Sequence, residues 1–454
     1  MIYTIIMKFT ESIFKAYDIR GKVPAELTDN VAEAVGRALA DFLPEGKVAV
    51  GRDMRPDSEQ LAGSIANGLM KQGRDVVDLG QITSDMMYFA VGKYNFAGGA
   101  MVTASHNPGE YNGIKLTGKG VVPIGEETGL MDIKKALIED SFKVSSAFGS
   151  KEGMNILTDW VKHALTFAPN LKNLKIGIDA GNGMGGIIVP ELRKDTDLDI
   201  HGLYLELDGT FPNHPANPLV FENLKDLIAL VKSEKLDCGI AFDGDGDRAI
   251  LIDENGEVVS GSILGALLAE RFLSENPGAT ILYNAITSRM VSEIVDEMGG
   301  KSYRTKVGHS FIKADMRKYD AVFACEHSGH YYFKKNYYAD SGLIAALSAL
   351  DIISKTGKKL SDLCKPLRER YSDSGEINFE VSDKAKAIEA MASHFSDGQQ
   401  DRLDGLTINY ADWWLNLRPS NTEPLLRLNI EAKTTELLKS KLSEAEEIIK
   451  KSID

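Results

Sequence analysis

Three times along this chain, a short apolar segment that reads as a buried strand runs straight into a loop of polar residues. Residues 99–103 lead into Thr103-Ala104-Ser105-His106-Asn107-Pro108, and residues 238–242 into Asp243-Gly244-Asp245-Gly246-Asp247-Arg248. Residues 321–324 lead into Cys325-Glu326-His327-Ser328-Gly329-His330. Each loop closes a round of alternating helical and strand spacing. Val31, Ala34, Val35, Ala38 and Leu39 give 30–43 a helical period, and strands at 47–50 and 76–79 flank a helix at 58–71. The pattern restarts with a strand at 174–179 that ends in the turn Gly181-Asn182-Gly183, a strand at 203–207 and a helix at 224–231. A third round has a strand at 279–285 and a helix at 288–298. In open α/β sheets ligands sit beyond the carboxyl ends of the strands, so three such loops can converge on one cleft.

The tail reads differently. Segments 377–381, 406–410 and 413–417 look like strands of an antiparallel sheet, and the last helix carries Leu438, Leu442, Ala445 and Ile449 on one face. The expected fold class is α/β: three consecutive similar α/β domains plus a smaller C-terminal α+β domain around a central cleft. The divisions expected are 1–150, 151–253, 254–368 and 369–454. A chain of 454 residues accommodates three or four domains of ordinary size.

The charge balance narrows the partners. With 52 Lys+Arg against 66 Asp+Glu the formal charge is −14, which argues against a nucleic-acid binder, since that needs a net basic face. A phosphate site here must gather its positive charge locally. Cys238, Cys325 and Cys364 are widely spaced with no CxxC pair, as expected of free thiols in a reducing compartment, so the cytoplasm is the expected location. The apolar stretch within 1–9 has no basic region before it and is too short for a signal-peptide core or a membrane span, and no later stretch is apolar enough to cross a bilayer.

The Asp243 loop is the most informative of the polar loops. Alternating glycines let three carboxylates face one point, a hard-oxygen set suited to Mg²⁺ or Ca²⁺. An EF-hand is a poor fit, because Arg248 holds the sixth position where that loop needs Gly and an apolar strand leads in where it needs a helix. As a solvated acidic turn the loop would repel itself. The Ser105 loop alone reads better as a strand-to-turn transition at Asn-Pro, and adjacent Ser and His do not make a hydrolase pair. The Glu326 loop offers donors and acceptors for sugar hydroxyls, with a plain polar loop and a zinc site as rivals. Near the C-terminus, Arg418-Pro419-Ser420-Asn421-Thr422-Glu423-Pro424 with Arg427 reads as a phosphate cradle. A cation site with an anion site, and no P-loop, points to phosphoryl transfer on a small phosphorylated molecule, with Ser105 as nucleophile.

Four loops in this order resemble the α-D-phosphohexomutase family over essentially the whole chain: phosphoserine loop 103–108, metal loop 243–248, sugar-recognition loop 326–330 and phosphate-binding loop 418–424. Phe14-Lys15-Ala16-Tyr17-Asp18-Ile19-Arg20-Gly21 is similar to the family's N-terminal signature. The resemblance implies that Ser105 carries a phosphoryl group. It also implies Mg²⁺ held by Asp243, Asp245, Asp247 and a phosphate oxygen on Ser105, with Arg248 helping to balance phosphoryl charge. It implies a hexose 1,6-bisphosphate that serves as intermediate and activator. Lys115 and His330 are implied as acid/base residues, Lys115 only if its pKa is lowered, with His106 supporting the loop. Tyr17, Arg20, Lys306, Gly308, His309, Glu326, Ser328, His330, Arg418, Ser420, Asn421, Thr422 and Arg427 are the implied substrate contacts. Small-molecule hexose phosphates are thus the expected partners, with monomer and dimer both open. His327 and Asn421 resemble the phosphomannomutase/phosphoglucomutase branch rather than the phosphoglucosamine branch, while Cys325 departs from the usual Gly. The alternatives are a phosphoglucosamine mutase, a metal-dependent phosphatase and a sugar-phosphate binding protein.

Overall fold

The computed structural model describes residues 9–143, 145–420 and 425–452. The chain forms two compact units, Met1–Ser260 with Ser328–Ser361, and Gly261–His327 with Asp362–Asp454.

The first unit holds two mixed sheets. In the first, the order is Ile19–Lys22, Tyr111–Gly118, Gly98–Val102, Val48–Arg52, Val76–Gln81 and Lys151–Gly153. Val48–Arg52 runs parallel to both its neighbours, while Tyr111–Gly118 returns antiparallel beside Gly98–Val102. All five residues of Gly98–Val102 are buried, which is why that strand reads as a continuous apolar run rather than an alternating one. Helix Asp29–Phe42 is capped by Thr28, whose side chain accepts from the Val31 amide at 3.3 Å. The cap stabilises by about 1 kcal/mol. Val31, Val35 and Leu39 are each fully covered and contribute about 1.5–3 kcal/mol apiece, so burial of the apolar stripe, not the cap, holds this helix in place.

In the second sheet Cys238–Phe242 runs parallel to Lys175–Asp179 and antiparallel to Ala249–Asp253. The strand expected at 203–207 instead occupies Asp199–Leu203. Tyr204 has φ +52°, a left-handed conformation that no strand residue can hold, so the chain leaves the sheet where the sequence pattern suggested it entered. The first unit also contains the short hairpin Tyr331–Phe333 with Ala339–Asp340, followed by helix Gly342–Thr356.

In the second unit Thr280–Asn284 lies parallel to both Lys301–Thr305 and Phe323–Cys325. The C-terminal sheet is antiparallel, in the order Ser372–Glu380, Leu425–Ala432, Trp413–Pro419, Leu406–Asn409 and Gln399–Asp401. Helix Thr435–Lys451 lays Leu438, Ala445 and Ile449 onto it, the expected face, with Leu442 at the margin. The α/β segments followed by an α+β end match the fold class read from the sequence. Among the described residues no helix is long and apolar enough to cross a membrane.

Candidate active site

Parallel pairing places the carboxyl ends of two strands of the first sheet side by side, with Arg52 opposite Val102. The Asp53 amide donates to the Val102 carbonyl at 2.9 Å, so the loops after both strands start together. Arg55, 3% exposed, reaches from one loop into the other. Its guanidinium donates to the carbonyls of Ser105 (2.8 Å), Asn107 (2.6 Å), Pro108 (2.9 Å) and Tyr111 (2.8 Å). Asp53 lies 3.3 Å behind it. Ser105 itself has φ +50°, unfavourable for a non-glycine residue, and is held there by this clamp and by Thr103 Oγ1, which accepts from the Ser105 amide at 2.9 Å. Arg20 donates to Asn107 Oδ1 at 2.8 Å and pairs with Asp18. Tyr17 lies half-buried just before the same strand.

The second sheet brings its acidic loop to this serine. Ser105 Oγ donates to Asp243 Oδ2 at 2.8 Å and lies 3.1 Å from His106 Nδ1. The glycines of the acidic loop are needed for this approach: a Cβ on Gly244 would stand 2.4 Å from the Ser105 carbonyl oxygen, and Gly246 has φ +76°. Asp243, Asp245 and Asp247 are all buried and offer ligand atoms within 4.8 Å of one another. Lys115 Nζ contacts Asp245 at 2.7 Å and Asp247 at 2.6 Å, and Ser84 Oγ donates to Asp245 at 2.5 Å. Arg248 lies 3.5 Å from Asp243 Oδ2 and donates to His330 Nε2 at 3.2 Å. His330 Nε2 is 3.4 Å from Asp247 Oδ1, and its Nδ1 is 2.9 Å from Ser328 Oγ. Ser105, Lys115, His106, Arg248, His330, Ser328 and the three aspartates therefore form one cluster, buried at Ser105, Lys115 and the aspartates and half-buried at the other four.

Burial, then repulsion from Asp247 and Asp245, pushes the Asp243 carboxyl well above the carboxylate range. Burial acts the same way on Asp247, but Lys115, His330 and Arg248 outweigh it and hold that carboxyl well below. Asp245 Oδ1 is buried without a hydrogen-bond partner. An unpartnered carboxylate oxygen and an overcharged triad of hard oxygen donors are what a divalent cation satisfies. The residues present fit one. Burial, then the Arg248 and Arg20 charges, drives the His106 pKa well below its usual value, so its ring is neutral. Lys115 corrects an expectation. Acid/base work required a lowered pKa, and burial does lower it, but Asp245 and Asp247 outweigh burial and hold the ammonium protonated, well above its ordinary range.

The remaining candidates lie in the second unit. Glu326 is 2% exposed and accepts from Asn284 Nδ2 at 2.8 Å. Lys306 is exposed with its ammonium 5.3 Å from the Phe311 ring centroid, and Gly308 and His309 open helix His309–Lys318. Arg418, 3% exposed, donates to Glu376 at 2.7 Å, and Arg427 lies 3.2 Å from the same carboxylate. Two guanidinium groups on neighbouring strands share one carboxylate, and Arg418 Nε has no hydrogen-bond partner among the described residues, so the pair retains capacity for a further anion. Ser420 closes that strand end, its amide donating to the Leu425 carbonyl at 2.8 Å. Asn421 and Thr422 lie outside the described residues.

The sequence matches four domain families, described as phosphoglucomutase/phosphomannomutase alpha/beta/alpha domain I (residues 11–143), domain II (158–256), domain III (260–371) and C-terminal domain (376–448). Among curated proteins, a phosphomannomutase of Vibrio cholerae is 39% identical over 96% of this chain and 98% of its own length. The chain belongs to the phosphoglucomutase/phosphomannomutase family. A phosphomannomutase of Methanocaldococcus jannaschii is 38% identical over 97% of the chain and 98% of its own length. Among solved structures, a phosphoglucomutase/phosphomannomutase family protein from Burkholderia thailandensis superposes with a TM-score of 0.89 at 32% identity, covering 98% of this chain and 99% of that one. The chain is thus a mutase-family enzyme, an isomerase that moves a phosphoryl group.

Several residues of this family member's cluster escaped sequence reasoning. Arg55, Ser84 and Asp85 follow strands Val48–Arg52 and Val76–Gln81, so the rule that singled out the other loops would have found them too. Asp85 is fully buried and accepts from Ser341 Oγ at 2.6 Å and from Thr83 Oγ1. Burial, against those two hydrogen bonds, pushes its carboxyl to about 8. Between the ordinary value of 3.8 and this one, the folded chain holds one more proton than the unfolded chain. Stability therefore falls as pH rises through that window, by up to about 1.4 kcal/mol per pH unit. Asp85→Asn is expected to flatten that slope, read as urea midpoints between about pH 5 and pH 8. An unchanged slope would show that Asp85 is not the titrating group. Arg55→Lys keeps the charge but cannot span four carbonyls. It is expected to lower kcat by about 10²-fold with KM little changed, as a displaced reacting group does. A kcat within twofold of wild type would sink the positioning role.

Proposed function

We propose that this chain interconverts the 1- and 6-phosphates of mannose, and those of glucose, through a phosphoserine at Ser105 and a hexose 1,6-bisphosphate. The observation that carries the reading is Ser105 Oγ at 2.8 Å from Asp243 Oδ2, beside buried Asp245, Asp247 and Lys115 and half-buried Arg248 and His330. Curated relatives named phosphomannomutase, aligned along nearly the whole chain, support the same reading. Asp243, Asp245 and Asp247, with an oxygen of phosphorylated Ser105, hold Mg²⁺, which when bound neutralises charge on the phosphoryl oxygens.

The chain's own groups account for the rest. The bond between phosphorus and Ser105 Oγ breaks as a bond forms to a sugar hydroxyl oxygen, whose proton passes to His330 as acid/base residue. Arg248 and the protonated Lys115 supply fixed positive charge beside the triad. The bisphosphate turns end for end, and its other phosphoryl group returns to Ser105. The proton that Ser105 Oγ gives up on that return has an acceptor within hydrogen-bond reach, the neutral ring of His106. Tyr17, Arg20, Lys306, Gly308, His309, Glu326 and Ser328 contact the sugar. Arg418, Ser420, Asn421, Thr422 and Arg427 hold the phosphate that is not reacting.

The test is initial rate with Mg²⁺ and catalytic bisphosphate on mannose 1-phosphate, glucose 1-phosphate and glucosamine 1-phosphate in parallel. Formation of the 6-phosphates from the first two is expected. A clear preference for the third would move the chain to the phosphoglucosamine branch, and release of free phosphate alone would replace the mutase by a phosphatase.

A further inference from the structure

One cleft of the first unit lies away from the catalytic cluster. It has a volume of about 550 Å³ and lies at the opposite end of the second sheet. Asp237 borders it at the amino end of strand Cys238–Phe242, whereas Asp243 follows the carboxyl end. A strand rises about 3.3 Å per residue, so the two ends are roughly 20 Å apart.

Five lysines line this cleft: Lys172 before strand Lys175–Asp179, Lys232 and Lys235 at the end of helix Lys225–Glu234, and Lys358 and Lys359 beyond helix Gly342–Thr356. Among the described residues none of the five has a salt-bridge partner. The two carboxylates on the rim are engaged elsewhere. Asp237 accepts from the Lys175 amide at 2.8 Å, and Glu254 accepts from the amide and hydroxyl of Ser361.

Lysines near helix carboxyl ends ordinarily complement the helix dipole, and two such ends open here. Each end carries about half a negative charge, so the two ends and two carboxylates offset about three of the five positive charges and leave a surplus of about two. Lys172 belongs to neither helix. In a chain of formal charge −14 this concentration is against the trend of the whole.

The walls are fixed independently of the lysines. The Asn170 amide donates to Asp351 at 2.6 Å and the Lys172 amide to Ser354 Oγ at 3.1 Å, both acceptors being buried. The Lys232 stem packs over Gly256, where φ +80° keeps side chains away and leaves room for it. Leu236 and Ile353 give the floor apolar surface. A cleft of ligand size, lined by five lysines without a salt-bridge partner among the described residues, is suited to hold an anion.

We propose that this cleft binds a compact organic phosphate carrying at least two negative charges, a diphosphate ester being the best match, at a site separate from the catalytic cluster. The test is calorimetric titration of the full chain with inorganic pyrophosphate in the absence of Mg²⁺, with and without saturating hexose phosphate. It is repeated on Lys232→Glu/Lys235→Glu and on Lys358→Glu/Lys359→Glu, which lie on different walls. Pyrophosphate binding that persists under hexose phosphate and weakens tenfold or more in each pair, with kcat within twofold of wild type, is the expected result. No binding to wild type, binding abolished by hexose phosphate, or affinity retained in either pair overturns the proposal.

Discussion

Replacing Ser105 by Ala is expected to lower hexose-phosphate turnover by about 10⁴-fold or more, since loss of a nucleophile typically costs that much. The hydroxyl lies 2.8 Å from Asp243 Oδ2 and is the group on which the proposed phosphoryl transfer depends. Ala preserves the backbone contacts that fix position 105: its carbonyl accepts from Arg55 and its amide donates to Thr103 Oγ1, and neither involves the side chain. Ala at φ +50° carries a strain similar to that of Ser, so thermal stability is expected to stay within a few degrees of wild type. The measurement pairs initial rates with a melting curve, and adds labelled bisphosphate to count phosphoryl groups retained on the protein. Wild type is expected to retain label and the variant none. Turnover within tenfold of wild type, or label retained by the variant, would remove Ser105 from the mechanism.

The second large effect concerns the aspartate triad. Chelation is expected to abolish turnover and Mg²⁺ to restore it. The decisive reading is stability rather than rate. A ligand at a hundred times its Kd stabilises a folded chain by about 2.7 kcal/mol. For domains of this size each kcal/mol moves the midpoint by about 2–4 °C, so Mg²⁺ is expected to raise the melting temperature by several degrees. Asp245→Asn removes the carboxylate whose Oδ1 has no hydrogen-bond partner, and is expected to lose most of that shift. The protein is expected to remain folded without the metal, because the Asn oxygen still accepts from Ser84 and Lys115 keeps its contact with Asp247. An equal Mg²⁺ shift in wild type and variant would place the cation elsewhere.

The C-terminal pair offers a contrast in how a charge site is prepared. At the triad, carboxylates are assembled without enough positive charge. At Arg418 and Arg427, the positive charge is present and Glu376 already satisfies part of it. Glu376 keeps two long side chains ordered at the cost of competing with any phosphate that docks there, a balance that the motif 418–424 gives no hint of.

The sequence by itself determined the order of the elements, the α/β character followed by an α+β end, and the loops that supply the candidate site. These follow from local pattern: apolar runs that stop at Thr103 and Asp243, and glycines alternating with aspartates where the backbone must pass close to another loop. Only the tertiary structure decided the state of the groups within those loops. Lys115 is kept protonated by Asp245 and Asp247, which stand 130 and 132 positions away. Asp85 is kept protonated by burial, which outweighs the opposing hydrogen bond from Ser341, 256 positions away. Arg55 clamps a serine 50 positions distant. A residue's type fixes which charges and hydrogen bonds it can offer. Its pKa and its partners depend on burial and on neighbours that only the folded chain brings within a few ångströms.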